Sequence, residues 1–127
     1  MNVVDSSAWL EYFADGSNAA HFSAAIENTA ELIVPVISLF EVFKRVLQQR
    51  TEGDALKAIA LMQQGRVIEL DAPLSLSAAN LSCKLKLPMA DSLILATARM
   101  HTATLWTQDA DFAAIPGVRY FPKNHGA

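Results

Sequence analysis

The stretch that decides the fold is DSLILATARMHTATLWTQD, residues 91–109. Its first part, 91–101, carries apolar side chains nearly all round a helix, which predicts a helix buried against a sheet or a partner subunit. The β-branched and aromatic run that follows, 104–107, predicts a strand. A buried helix that leads into a short strand is typical of α/β domains with a mostly parallel sheet.

The rest of the chain repeats this alternation of short apolar runs and longer helical patterns. We predict strands over 2–5, 32–36, 67–70, 104–107 and 118–121, and helices over 6–13, 17–28, 38–50, 54–64, 74–85 and 91–101. The helix over 38–50 has the clearest apolar face, which Phe40 and Leu47 widen. We therefore expect one α/β domain over residues 1–127, with a central, mostly parallel sheet of about five strands flanked by helices.

The composition is that of one folded domain. The chain has 127 residues, of which 52% are hydrophobic and 18% are charged, so a core can form. The one cysteine, Cys83, excludes an internal disulfide and disfavours a structural zinc site. No apolar run reaches about 18 residues, and no signal peptide is evident at the start. We expect a cytoplasmic protein without membrane association.

The formal net charge is −3, whereas proteins that act on nucleic acids usually carry a basic surface. If several acids gather around divalent cations, the remaining surface is closer to neutral or basic. The charge is therefore only a weak argument against a nucleic-acid substrate.

Four acids are predicted at one edge of the sheet. Asp5 ends the first strand and Asp109 follows the strand over 104–107, and open α/β sheets bind ligands outside the carboxyl ends of their strands. Glu41 and Asp91 lie near helix N-termini, which often open onto the same edge. Two carboxylates about 5 Å apart repel by roughly 3 kcal/mol at an effective dielectric constant near 20. A divalent cation relieves this repulsion, and ligands that are all oxygen favour Mg²⁺ or Mn²⁺.

Each acid, taken alone, has a simpler explanation as a helix cap. Asp is a favoured N-cap residue, which applies to Asp5, Asp91 and Asp109. Ser38 and Glu41 fit a capping box, in which the glutamate reaches back to the serine amide. Capping does not explain why all four acids are predicted at one edge, so the metal-site hypothesis depends on their convergence.

Four motifs in this order resemble the PIN domain. They are VVDSS at 3–7, the Ser38-x-x-Glu41 helix start, PMADSLI at 88–94 and TQDADF at 107–112. The size and the order of the motifs are similar to those of the VapC toxins of bacterial VapBC toxin–antitoxin pairs. The resemblance covers essentially the whole chain.

The resemblance implies a central parallel sheet flanked by helices and Mg²⁺- or Mn²⁺-dependent cleavage of RNA. The metal-holding and catalytic positions of the family fall on Asp5, Glu41, Asp91 and Asp109. The hydroxyl residues Ser6 and Thr107 are expected to orient carboxylates or a metal-bound water. Asp111 either contacts the metal site or caps the short helix that follows.

An RNA-cleaving enzyme needs a positive rim around its site. The candidates are two pairs: Lys44 and Arg45 on the side of Glu41, and Lys84 and Lys86 just before the Asp91 motif. The alternative is that these side chains form ordinary ion pairs on a solvated face.

The resemblance also implies a homodimer and a cognate VapB-type antitoxin. The tail of that antitoxin is expected to cover the acidic groove, and a guanidinium among the carboxylates could stand in for the cation.

A second hypothesis is a PIN-like binding module that acts mainly through antitoxin and operator complexes. A receiver-type phosphotransfer domain and a haloacid-dehalogenase-type phosphatase are disfavoured, because Asp5 has no acidic partner in Asp5-Ser6-Ser7. The RNA target and the number of metal ions stay open.

Overall fold

A computed structural model describes residues 1–123 of the chain. The strands are β1 (Asn2–Val4), β2 (Leu32–Pro35), β3 (Arg66–Ile68), β4 (Thr104–Thr107) and β5 (Val118–Tyr120). The helices are α1 (Ser6–Phe13), α2 (Ala19–Glu27), α3 (Val36–Gln49), α4 (Glu52–Met62), α5 (Ala72–Leu85) and α6 (Met89–Met100). Two short 3-10 helices lie at Thr29–Glu31 and Ala110–Phe112.

The strands form one five-stranded sheet in the order β3-β2-β1-β4-β5. Every neighbouring pair is parallel, which confirms the predicted α/β fold class. The chain winds outward from β1 to β3 and then returns through α5 and α6 to β4, on the other side of β1. Ligands bind such sheets at the carboxyl ends of the strands where the winding direction reverses. Here that point lies between β1 and β4.

Helices cover both faces of the sheet. Successive strand residues point to opposite faces, so β1 and β2 contribute to clusters on both faces. Val4 and Val34 pack in a cluster with residues of α1, α2, α3 and α4. Val3 and Ile33 pack in another cluster, chiefly with residues of α6. Residues 92–98 of α6 are all buried, as the sequence predicted for this helix. No helix among residues 1–123 is long and apolar enough to cross a membrane.

Two helices near the site begin two residues earlier than predicted, α3 at Val36 and α6 at Met89. The residues before them, Pro35 and Pro88, occupy the N-cap positions in non-helical backbone conformations. Proline has a fixed φ and no amide proton, so it suits the start of a helix, where amide protons have no partner within the helix. As a consequence, Ser38 lies inside α3 and Glu41 lies in its second turn.

Candidate metal centre

Asp5 lies directly after β1, at the point where the winding of the sheet reverses. Its backbone amide donates to the carbonyl oxygen of Trp106 at 2.8 Å, which ties it to β4. Its side chain is 2% exposed, and Oδ2 accepts hydrogen bonds from Ser7 Oγ at 2.6 Å and Thr107 Oγ1 at 2.9 Å. Asp5 occupies the N-cap position of α1 but makes no side-chain cap hydrogen bond. Capping therefore does not account for this carboxylate.

Asp109 follows β4 and is tied to Asp5 through one hydroxyl group. Thr107 Oγ1 donates to Asp5 and accepts from the Asp109 amide at 2.9 Å. Asp109 Oδ1 also accepts from the Asp111 amide at 2.9 Å and so caps the 3-10 helix Ala110–Phe112. The capping interpretation is correct for Asp109, but the cap uses only one of its two carboxylate oxygens.

Asp91 is the third residue of α6 and joins Asp109 and Asp111 in a compact triad. One carboxylate oxygen from each of the three acids lies within 4.8 Å of the others, a spacing that could hold a metal ion. The structure therefore brings Asp111 into the acidic cluster, while the capping role that the sequence left open for it belongs to Asp109.

Glu41 faces Ser6 and takes no part in a capping box. Ser6 Oγ donates to Glu41 Oε1 at 2.7 Å. Ser38 is buried inside α3, and its hydroxyl has no hydrogen-bond partner among the described residues. The capping-box prediction is wrong because α3 begins at Val36, which places Ser38 three residues into the helix.

The acids are electrostatically coupled. Burial raises the pKa of Asp5, hydrogen bonds from Ser7 and Thr107 lower it, and the charges of Asp109 and Glu41 raise it further. The pKa of Asp91 is raised to about 8, first by burial, then by the charges of Asp5 and Asp109, and then by the hydrogen bond and charge of Asp111. Such a set cannot stay fully ionised unless protons or a cation compensate its charge.

The donor set fits a hard divalent cation. The triad offers carboxylate oxygens without histidine or cysteine, as Mg²⁺ and Mn²⁺ prefer. Asp5 and Glu41 lie outside the triad but line the same groove as Asp91 and Asp109, a groove of about 330 Å³. The structure thus places the four acids predicted from the sequence in one groove. Their metal-binding role stays a prediction.

The two predicted pairs of rim cations differ in position. Lys44 and Arg45 line the acidic groove. Lys84 lies in the last turn of α5, Lys86 ends that helix in a left-handed conformation, and neither belongs to the described residues that line the groove. The structure therefore favours the first pair as contacts for a ligand in the groove.

Three polar residues near the acids were not predicted from the sequence. Ser7 donates to Asp5, and the Asp5-Ser6-Ser7 motif could have suggested it. Asn18 Nδ2 donates to Gln108 Oε1 at 3.1 Å and to the Pro122 carbonyl oxygen at 2.9 Å. Gln108 Nε2 in turn donates to the Ser7 carbonyl oxygen at 3.4 Å. No local pattern links Asn18 to a partner 90 residues away, so the sequence held no signal for this network.

A sequence model of the PIN domain matches residues 3–118. The chain belongs to the PIN-domain family. This confirms the resemblance drawn from the four motifs. No curated protein sequence matches the chain.

Solved structures share this PIN fold along nearly their whole length. A toxin–antitoxin complex from Klebsiella pneumoniae has a TM-score of 0.80 and 23% identity, covering 97% of this chain and 100% of that chain. VapC20 from Mycobacterium tuberculosis, a toxin that cleaves the sarcin–ricin loop, has a TM-score of 0.77 and 18% identity, covering 91% and 95%. VapBC2 from Rickettsia felis, bound to a promoter DNA fragment, has a TM-score of 0.72 and 16% identity, covering 95% and 97%. At these identities the likeness is one of fold.

Proposed function

We propose that this PIN domain is a toxin ribonuclease that hydrolyses RNA phosphodiester bonds with Mg²⁺ or Mn²⁺. The observation that carries the proposal is the gathering of acidic side chains in one groove where the sheet reverses its winding. Two of these acids, Asp5 and Asp91, have raised pKa values. Family membership supports it. In this proposal Asp5, Glu41, Asp91 and Asp109 are the metal-holding and catalytic acids.

The residues around the groove divide the work among them. Asp91, Asp109 and Asp111 offer three oxygens close enough to share one cation. Thr107 and Ser6 fix the orientation of Asp5 and Glu41 through hydroxyl hydrogen bonds. When bound, a divalent ion polarises the phosphoryl group, lowers the pKa of water and offsets the charge of the transition state.

Lys44 and Arg45 hold the RNA backbone beside these acids. Both line the groove, and a lysine or arginine binds phosphate through charge-assisted hydrogen bonds. A positive rim offsets the repulsion between the RNA and the acidic groove, which the net charge of −3 would otherwise impose.

The test is cleavage of structured RNA by purified, antitoxin-free protein. We expect cleavage with Mg²⁺ or Mn²⁺, loss of cleavage on chelation, and loss in Asp91→Asn. Asp71→Asn is the matched control, because it makes the same change at the N-cap of α5, where asparagine also caps well. Cleavage that persists in Asp91→Asn or in excess EDTA would contradict the proposal.

A cognate VapB-type antitoxin is proposed as the regulatory partner. A second groove of about 260 Å³ lies between α1, α3 and α4, with more apolar than polar surface, and Leu10 lines both grooves. A partner helix could lie in the apolar groove while its extended tail enters the acidic one, where an arginine could replace the cation. The Klebsiella pneumoniae complex with the same fold supports this proposal.

The partner is tested by co-purification with the product of the neighbouring gene. Leu61→Lys, in the apolar groove, should weaken the complex, whereas Leu76→Lys, on the exposed surface of α5, should not. A complex that tolerates both changes equally, or repeated failure to find the partner, would count against the proposal. Light scattering on the same samples tests the proposed homodimer.

The second hypothesis is a binding module that acts through antitoxin and operator complexes. It predicts that Asp5→Asn leaves the biological effect intact, whereas the ribonuclease proposal predicts its loss. A growth assay with the induced protein separates the two.

The ribonuclease proposal also treats the whole chain, 1–127, as one PIN domain located in the cytoplasm.

A further inference from the structure

Phe40 is an exposed aromatic side chain in the acidic groove. The sequence placed it on the apolar face of α3, but its side chain is 61% exposed, while Val42 and Val46 of the same helix are buried. Of the large hydrophobic side chains exposed among residues 1–123, Phe40 is the one that lines this groove. An exposed ring beside a candidate site suggests a contact for a ligand.

The neighbours of the ring carry the charges that a nucleotide needs. Lys44 Nζ lies 5.7 Å from the centroid of the Phe40 ring, one helical turn further along α3. Glu41 and Arg45 line the same groove. A single stretch of α3 thus presents a flat apolar surface that matches a base and two cations that match a phosphate. Both lie beside the carboxylate of Glu41. The groove volume of about 330 Å³ is in the range of sites that hold one small ligand.

We propose that Phe40 is the stacking platform for an unpaired nucleobase next to the scissile phosphate. The inference rests on the proposed function, since it assumes that RNA is cleaved in this groove, and it adds a residue that contacts a base of the substrate. A base offers its face to an aromatic ring only when it is unstacked, as in single-stranded segments, loops and bulges. The proposed contact therefore requires an unpaired nucleotide next to the scissile phosphate, and it cannot form with a base inside a continuous duplex.

The surroundings of Phe40 favour RNA over a protein partner. The ring shares its groove with charged side chains of both signs, and that groove is no more apolar than polar. The apolar groove proposed for the antitoxin lies between α1, α3 and α4, and Phe40 is not among the described residues that line it. A contact built mainly for a protein helix would place the ring in that second groove.

The test measures binding without requiring cleavage. Wild-type protein in Ca²⁺ is titrated against a short single-stranded RNA that carries 2-aminopurine at each position in turn. We expect quenching at one position, and its loss when the RNA is paired with its complement. Phe40→Ala should abolish the quenching and weaken binding about 5- to 150-fold, the range of one base stacked on one aromatic ring.

Matched variants separate stacking from general apolar contact. Phe40→Trp should keep the quenching, while Phe40→Leu, which keeps apolar bulk without a ring face, should behave like Phe40→Ala. Leu47→Ala removes an exposed apolar side chain from the same helix outside the groove and should change nothing.

Every outcome decides the proposal. Unchanged binding in Phe40→Ala, equal binding in Phe40→Leu and Phe40→Trp, or no RNA binding by wild-type protein would overturn it. Loss of antitoxin binding alone in Phe40→Ala would also overturn it and assign the ring to the protein partner. If wild-type protein binds RNA with quenching but does not cleave it in Mg²⁺ or Mn²⁺, the stacking role of Phe40 is supported and the ribonuclease proposal fails.

Discussion

At the scale of single residues, Thr107 sets the spacing between two of the acids. Its hydroxyl donates to Asp5 Oδ2 and accepts from the Asp109 amide, so it joins the carboxyl ends of β1 and β4. The side chain is completely buried, so a water molecule cannot replace it without a rearrangement. We infer that Thr107 is a positioning residue for the candidate metal centre.

Thr107→Val should therefore weaken the binding of Mn²⁺ as well as the fold. It keeps the shape of the side chain but leaves Asp5 and the Asp109 amide with one partner fewer, so we expect a loss of about 1–3 kcal/mol in the free energy of unfolding. Calorimetric titration with Mn²⁺ and urea denaturation measure the two effects.

Thr97→Val is the control for this change. Thr97 is also buried, and its hydroxyl donates to the Leu93 carbonyl oxygen inside α6. We expect lower stability with unchanged Mn²⁺ affinity. Equal effects of the two variants on Mn²⁺ affinity would show that Thr107 has no particular role at the site.

The raised pKa of Asp91 makes the stability of the cation-free protein depend on pH. Its pKa is about 8 in the fold, against an ordinary value of 3.8, so the folded protein holds a proton that the unfolded chain has lost between these values. The free energy of unfolding should therefore fall as pH rises from about 4 to about 8. Denaturation in EDTA across this window measures the fall.

Asp91→Asn should make that pH dependence less steep, because asparagine does not titrate. Part of the slope should remain, since burial also raises the pKa of Asp5. Saturating Mn²⁺ should stabilise the wild-type protein most at the alkaline end, where the acids are ionised. A slope that is the same in Asp91→Asn and wild type would show that this carboxyl is not the source.

At the scale of helices and strands, the two pairs of cations test which helix contacts RNA. Lys44 and Arg45 of α3 line the groove, whereas Lys84 and Lys86 at the end of α5 do not. Replacing the first pair with alanine should weaken RNA binding and lower the slope of log K against log salt by about 1.4, for two lost contacts to single-stranded RNA.

The second pair, changed to alanine in the same way, removes the same charge from the chain and serves as the control. We expect its RNA affinity and salt slope to match the wild type. Filter binding over a salt series measures both the affinity and the salt slope. An equal loss from both pairs would mean that affinity follows net charge, and the assignment of the rim to α3 would fail.

The helices and strands could largely be predicted from the sequence, because local patterns determine them. Helix α1 and strand β4 have the predicted bounds, 6–13 and 104–107. Helices α3 and α6 begin two residues before their predicted starts, because apolar periodicity does not reveal that Pro35 and Pro88 can serve as N-caps. The same error produced the false capping box at Ser38.

The side chains of the site were less predictable than the elements that carry them. The four acids could be assigned to one edge because strand ends meet there, but the closeness of Asp111 to Asp91 depends on how the 3-10 helix packs beside α6. The exposure of Phe40 depends on the rotation of α3 about its axis. Packing fixes that rotation, and the pattern of apolar residues defines it only broadly.

At the scale of the whole molecule, one polar network joins the segment after α1 to the segments after β4 and β5. Asn18 links the segment between α1 and α2 to Gln108 after β4 and to Pro122 after β5. Gln108 lies between Thr107 and Asp109, so the network anchors the turn that carries Asp109. Three separate parts of the chain are thereby held in one arrangement.

Asn18→Ala should destabilise the fold by about 1–3 kcal/mol, because it leaves the amide oxygen of the buried Gln108 without its donor. Asn80→Ala, on the exposed surface of α5, is the control, and we expect its effect to stay within about 0.5 kcal/mol. Urea denaturation compares the two. Equal stability of the two variants would mean that the network contributes nothing measurable.

The central claim is that the carboxylates form a divalent-cation site, and anomalous diffraction from crystals soaked in Mn²⁺ tests it most directly. We expect an anomalous peak among Asp91, Asp109 and their acidic neighbours in the groove, and its loss in Asp91→Asn. A map from saturating Mn²⁺ with no peak in the groove, or with peaks only at other surface acids, would contradict the claim.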